Sequence, residues 1–111
     1  MKDGSTEFIL TKFKIKDGMV ERLGVLLQEI NSDLEAFRLG LQEAGVRIDC
    51  QFIETSDLGN YFYVFKKVAS NDRLKEVVAS SPSPIYQKVR RVLNECLENR
   101  IDLECSMGVE L

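Results

Sequence analysis

Histidine and tryptophan are both absent from this chain of 111 residues. The missing histidine removes the commonest general base, the commonest transition-metal ligand and any Ser/His or Cys/His nucleophile pair. Cysteine is scarce: Cys50, Cys96 and Cys105 make an odd count with no CxxC spacing, which argues against a disulfide framework or a thiol redox motif. No metal site is expected from such a set. All three fall at apolar positions of predicted strands or helices, where they read as small core residues. No apolar run approaches the roughly 20 residues that a membrane helix needs, and Met1–Glu7 has no apolar h-region of a signal peptide. The expected setting is therefore cytoplasmic, with no membrane partner. A basic excess is also missing, since the net charge is −3; this disfavours nucleic acid as a partner.

What is present suits one globular domain over residues 1–111, with 44% hydrophobic and 30% charged residues. A chain of this size buries roughly 65% of the surface its unfolded form exposes, so a core is feasible without disulfides or metals. Thr6 to Lys16 reads as a strand of period two, with Ile9, Phe13 and Ile15 on one face and Lys12, Lys14 and Lys16 on the other. Asp17-Gly18 ends it and offers a helix cap. From Gly18 to Ala44, residues Val20, Leu23, Leu27, Ile30, Leu34, Phe37, Leu41 and Ala44 alternate spacings of three and four, which predicts a long amphipathic helix. Gly45 is its natural C′ residue, and Asn31-Ser32-Asp33 is a weak patch where a bend or break fits.

Val46 to Glu54 reads as the second strand, with Val46, Ile48, Cys50 and Phe52 on one face and Arg47, Asp49 and Gln51 opposite. Thr55 to Asn60 suits a hairpin loop. Tyr61 to Phe65 is apolar on both faces and so belongs inside a sheet. Ser70 caps a short helix to about Ala79, and Ser83-Pro84 opens another that runs to about Asn99. Ile101 to Val109 reads as the last strand, with Ile101, Leu103, Cys105, Met107 and Val109 facing inward and Asp102, Glu104, Ser106 and Glu110 opposite. The order β-α-β-β-α-β predicts a ferredoxin-like α+β fold, a four-stranded antiparallel sheet in the order 4-1-3-2 with helices on one face. The apolar strand faces are expected to look toward the helices.

Several proteins share this architecture, so the site has to decide among them. Leu58-Gly59-Asn60-Tyr61-Phe62-Tyr63-Val64-Phe65 matches the aromatic motif of RNA-recognition domains poorly. Asp17-Gly18-Met19 lacks the CxxC of a copper chaperone, and the first helix exceeds that of an amino-acid-sensing ACT domain. Phe13-Lys14-Ile15-Lys16-Asp17-Gly18-Met19, the long helix, Glu43-Ala44-Gly45-Val46 and Ser83-Pro84-Ile85-Tyr86 resemble the dimeric α+β barrel superfamily over roughly Thr11 to Leu111. That group includes antibiotic-biosynthesis monooxygenases, haem-degrading enzymes and stress-responsive A/B barrel proteins, and the chain is most similar to its uncharacterised small members. The resemblance implies a homodimer whose sheets face each other, with a pocket in each subunit between sheet and helices. The histidine and tryptophan expected of catalytic members are missing here, and no cofactor is called for.

The polar strand residues Lys12, Lys14, Arg47, Asp49, Gln51, Asp102 and Glu104 read as one face, either a charged barrel interior or plain cross-strand ion pairs. Phe8, Leu10 and Ile53 interrupt its charges. That interruption, and an apolar stripe running about 40 Å if the helix is straight, both favour a partner subunit. Phe13, Phe37, Phe52, Tyr63 and Met107, with Arg38 as a possible carboxylate anchor, are the candidate ligand-binding residues. They suit an elongated hydrophobic molecule with one polar end, although the same aromatic residues also fit a plain core. The expected function is binding of a small hydrophobic or amphiphilic, fatty-acid-like molecule. The alternative is a cofactor-free monooxygenase or isomerase for a small aromatic or polyketide-like substrate. A proton-transferring group inside the pocket separates the two.

Overall fold

In the computed structural model, which describes residues 7–109, strand β1 (Glu7–Ile15) leads into helices α1 (Val20–Ser32) and α2 (Leu34–Glu43). A hairpin of β2 (Val46–Ser56) and β3 (Gly59–Val68) follows, then α3 (Asn71–Ser80), α4 (Pro84–Cys96) and β4 (Leu97–Leu103). The four strands form one antiparallel sheet in the order β2-β3-β1-β4, the order that the sequence predicts. This is the ferredoxin-like α+β fold, and the strand that is apolar on both faces, β3, sits in the sheet interior.

The helix expected over Gly18–Ala44 breaks at Asp33, whose φ of −135° and ψ of 56° lie outside the helical range. The weak helix formers there find other partners: Ser32 Oγ donates to the Glu29 carbonyl at 2.8 Å and the Asp33 N–H donates to Ile30 O at 3.2 Å. The start also differs from expectation. Asp17 and Gly18 form a turn, with Gly18 at φ +78°, and the cap position falls to Met19, which has no capping side chain. Other boundaries follow the sequence. Gly45 takes φ +76° after α2, Ser70 Oγ accepts from Arg73 N at 3.3 Å at the head of α3, and Pro84 opens α4.

One face of the sheet packs against the helices. Ile15, Phe62, Val64 and Leu97 from the strands meet Leu23, Leu26, Ile30, Phe37, Val89 and Cys96 from α1, α2 and α4 in the main cluster. Val46, Val68, Leu74 and Ala44 form a smaller one beneath α3. Two ion pairs, Arg22–Glu95 at 2.6 Å and Lys88–Glu29, tie α1 to α4 along their exposed edges.

Both edge strands depart from the predicted alternation. The pairing of β2 with β3 shifts between Val46 and Ile48, and that of β4 with β1 shifts between the partners of Lys12 and Lys14, where Asn99 takes φ +54°. Each shift is a β-bulge, in which one extra residue exchanges the faces of all that follow. Val46 therefore points to the helices, but Ile48, Cys50 and Phe52 pair with β3 residues of the opposite, open face, while Asp49, Gln51 and Ile53 turn inward. Leu97 is buried against the helices, yet Ile101 and Leu103 lie on the open face and Asp102 on the helix side.

The expected single polar face does not exist. Lys12 and Lys14 stand on the open face, Asp49, Gln51 and Asp102 on the other, and Glu104 lies past the end of β4. Between β1 and β4, Lys14 stands opposite Glu98, while Thr11 Oγ1 donates to Asp102 Oδ1 at 2.9 Å. The last strand runs from Leu97, not from Ile101, because Cys96 and Leu97 are the residues the core takes up. Cys105, Met107 and Val109 lie beyond the strand and are exposed, Met107 to 80%, and Cys50 is exposed too; only Cys96 is the small core residue expected. The calls on Thr6 and Glu110 lie outside the described residues.

Candidate functional site

The break between α1 and α2 leaves space above β2. Leu27, Ile30 and Leu34 from the two helices, with Phe37 and Leu41 of α2, wall a cavity of about 330 Å³. Its strand side is polar: Asp49 and Gln51, turned inward by the bulge at the start of β2, with Gln51 Nε2 donating to Asp49 Oδ1 at 3.2 Å. Arg38 and Asn31 stand at its rim. An apolar wall facing a small polar set is the composition of a ligand site, and the volume falls at the lower end of the usual range.

Asp49 is the group of most chemical interest. Burial pushes its carboxyl above the ordinary value of 3.8, against the opposing influence of the Lys66 ammonium and the Gln51 amide. Tyr86 backs Phe37. Its ring stacks on Phe37 with centroids 5.4 Å apart, its hydroxyl donates to Phe37 O at 3.4 Å, and burial, then the charges of Asp49 and Glu43, lift its phenol to about 12. At neutral pH Tyr86 is a hydrogen-bond donor packed behind the wall. Asp49 is the one carboxyl lining the cavity, in an environment that favours proton uptake.

Of the six residues singled out in the sequence, Phe37 and Arg38 line this cavity. Phe13 is on the helix side of the sheet against Phe62, with ring centroids 6.3 Å apart, and borders a different depression near Arg100. Phe52 and Tyr63 are cross-strand neighbours on the open face, where Tyr63 donates to Glu54 Oε1 at 2.7 Å; that bond raises its phenol further. Met107 is remote from both. Asp49 and Gln51, the polar residues of the cavity, read in the sequence as members of one polar strand face with Lys12 and Lys14, opposite the apolar face that meets the helices. Only the bulge brings them inside, and Gly45-Val46-Arg47 carries no composition that announces one.

The open face is itself unusual. Phe8, Leu10, Phe65, Ile48 and Phe52 occupy it with Ile101 and Leu103, and Phe52 and Ile101 are 55% and 51% exposed. Lys12 Nζ lies 4.4 Å from the centroid of Tyr61, and Lys14, Glu54, Lys67 and Glu98 share the face with it. Ile53, expected there, packs into the core instead. Among the described residues no helix is long and apolar enough to cross a membrane, and no group of three or more Cys, Asp and Glu is arranged to hold a metal ion.

Similar solved structures share the fold. A candidate antibiotic biosynthesis monooxygenase from Bacteroides thetaiotaomicron superposes with a TM-score of 0.64 at 14% identity, covering 96% of each chain. A dimeric protein of unknown function and ferredoxin-like fold from Bacteroides fragilis gives 0.55 at 20% identity, covering 90% of this chain and 96% of that one. A second candidate antibiotic biosynthesis monooxygenase, from Nitrosomonas europaea, gives 0.58 at 12%, covering 91% and 88%. No curated protein sequence matches the chain. A family model matches residues 6–110, nearly the whole length, and by it the chain belongs to DUF6176, a family of unknown function.

Proposed function

We propose that the protein is a homodimer that binds a small amphiphilic, fatty-acid-like molecule in the cavity between the α1–α2 break and β2. The observation that carries this reading is the cavity itself: an apolar wall of Leu27, Ile30, Leu34, Phe37 and Leu41 opposite Asp49 and Gln51, with Arg38 at the mouth. A hydrocarbon chain suits the wall, since each buried CH₂ contributes about 0.8 kcal/mol. A carboxyl head suits the guanidinium of Arg38, which is exposed and makes only a long contact of 3.8 Å to Glu35. The open sheet face supports the dimer, because exposed Phe52, Ile48, Ile101 and Leu103 form an apolar surface of the kind that marks an interface. A structural neighbour that is a dimeric protein supports it too. The helix-length argument for a partner falls away, since the break at Asp33 lets one sheet cover both halves.

Native mass spectrometry of the purified protein tests both parts at once, reading subunit count and any retained ligand together. Titration with decanoate, followed by displacement of a fluorescent hydrophobic probe, tests the cavity. Saturable displacement that weakens about tenfold in Phe37→Ala and Arg38→Gln is expected. Displacement indifferent to both substitutions removes the cavity from the reading.

A second reading, cofactor-free oxygenation or isomerisation of a small aromatic or polyketide-like substrate, draws on Asp49. A carboxylate held above its ordinary value in an apolar cavity is suited to accept a proton from an acidic phenol or from carbon beside a carbonyl. Structural neighbours are candidate monooxygenases, which accords with that chemistry at the level of fold alone. Exchange of the acidic C–H of a bound 1,3-diketone with deuterated water, lost in Asp49→Asn while binding persists, distinguishes this reading from simple binding.

A further inference from the structure

α3 and α4 enclose a second cavity of about 310 Å³ over β1. Four cations drawn from four different elements border it: Lys66 of β3, Lys75 of α3, Arg90 of α4 and Arg100 of β4. No carboxylate lines it, although the chain as a whole carries a net charge of −3. Gathering like charges is unfavourable unless an anion answers them.

The protein supplies little of that answer. Arg100 Nε donates to Asp102 Oδ1 at 3.1 Å. Asp102 also accepts from Thr11; burial would raise its carboxyl, but those two bonds and the charges of Arg100 and Lys75 outweigh it and hold the group low. Arg90 Nη1 donates to the carbonyls of Val78 and Ala79 at 3.0 and 3.1 Å, which fixes the guanidinium at the end of α3 and leaves its other N–H groups without a partner among the described residues. Lys66 and Lys75 make no hydrogen bond and no ion pair within 4.0 Å among the described residues, although Lys66 feels the charge of Asp49, its cross-strand partner on β2. All four cations thus retain unused donors around one hollow, Arg100 through its Nη groups. Between them the surface is apolar, with Leu74 and Val78 of α3 facing Ile9 of β1.

We propose that this cleft is a binding site for a phosphorylated small molecule that carries an apolar group. A phosphate monoester brings close to two negative charges and three terminal oxygens, enough to meet donors approaching from several elements at once, and guanidinium pairs with it in a fork. A monocarboxylate offers one charge and two oxygens, too few for this set. The cavity holds the volume of about ten waters at ~30 Å³ each, which fits an aromatic ring or short chain together with its phosphate. The site is separate from the α1–α2 cavity, and the proposal stands or falls independently of the function assigned there.

Isothermal titration of the full-length protein at low salt with phenyl phosphate, inorganic phosphate and benzoate tests it. Phenyl phosphate is expected to bind saturably, about tenfold more tightly than either of the others, and to weaken as salt rises. Lys75→Gln alone, at an exposed position, and Lys66→Gln with Lys75→Gln are each expected to weaken it, the pair by about tenfold or more; Arg38→Gln, in the other cavity, leaves it unchanged. Thermal melts confirm that the variants fold, and if the pair does not, the single Lys75→Gln variant decides. The absence of saturable binding up to about 10 mM, equal affinity for benzoate or for inorganic phosphate, or affinity indifferent to Lys75→Gln each overturns the proposal.

Discussion

Gly40 lies directly beneath the ring of Tyr86: a methyl group on its Cα would stand 2.0 Å from Cε2 and 2.8 Å from the hydroxyl oxygen. The side chain of Tyr86 is 7% exposed and is held by its stacking on Phe37, so the ring has little room to withdraw. Two effects compete in Gly40→Ala. Alanine in a helix interior gains about 1 kcal/mol over glycine, whereas overpacking a closed site costs about 1–3 kcal/mol. An approach of 2.0 Å puts the overpacking at its upper end, so it is expected to win, giving a net loss of up to about 2 kcal/mol in urea unfolding. In a Tyr86→Leu background the same substitution becomes neutral or stabilising. A simple gain in the wild-type background would show that Tyr86 is free to move.

Asp49 imposes a pH dependence of defined sign. Its carboxyl is held above 3.8 in the folded chain, so the folded state binds this proton more readily than the unfolded state does. Stability from this group is present at low pH and is lost as pH rises from about 3.8 through the raised folded value. Asp49→Asn is therefore expected to be more stable than wild type at pH 7, with the difference closing below pH 3.8. Thermal melts of both proteins across that window check it. A constant difference at every pH would place the effect in packing instead.

The bulge in β4 rests on Asn99, whose φ of +54° is one that asparagine tolerates and β-branched residues do not. Asn99→Val is expected to cost about 1–2 kcal/mol, and Asn99→Gly to be neutral within about 0.5 kcal/mol. Denaturant midpoints of the two variants separate backbone strain from loss of the side chain.

Phe52 stands on the edge strand β2, on the open sheet face, at 55% exposure. In a dimer formed through that face, Phe52→Asp places charges in the contact and is expected to return the mass in sedimentation equilibrium to 12.7 kDa. In a monomer the same change is close to neutral and the mass is already 12.7 kDa before it is made.

The element order, the central position of β3 and the helical stripes were legible because periodicity survives wherever the chain is regular. Leu23, Ile30 and Phe37 on the helices, and Ile15 on β1, are all buried as their spacing predicts. What the period could not reveal is a change of phase. Arg47 and Asn99 each mark a single-residue slip, and downstream of each slip every inward assignment becomes outward: Ile48, Cys50, Phe52, Ile101 and Leu103 moved out, and Asp49, Gln51 and Asp102 moved in. The two candidate residues that line the same cavity, Phe37 and Arg38, are on a helix without a slip. Those assigned through the edge strands or beyond them, Phe52 and Met107, went elsewhere. Asn99 was the one visible sign, a residue tolerant of positive φ within the polar run Glu98-Asn99-Arg100. Glu98 and Asn99 read as the end of the last helix, whereas burial of Cys96 and Leu97 starts the strand earlier.

The interruption at Asp33 divides what would have been one cooperative unit into two of unequal security. α1 is fastened by Leu23, Leu26 and Ile30 and by its ion pairs to α4; α2 buries only Phe37 fully and depends on Tyr86 for its hold. The shorter piece is therefore expected to open before α1, and its amides should exchange with solvent ahead of those in α1. Because α2 forms one side of the cavity, each such opening also unmakes the apolar wall that Phe37 and Leu41 give it, so that the shape of the hollow is only as lasting as the hold on ten residues.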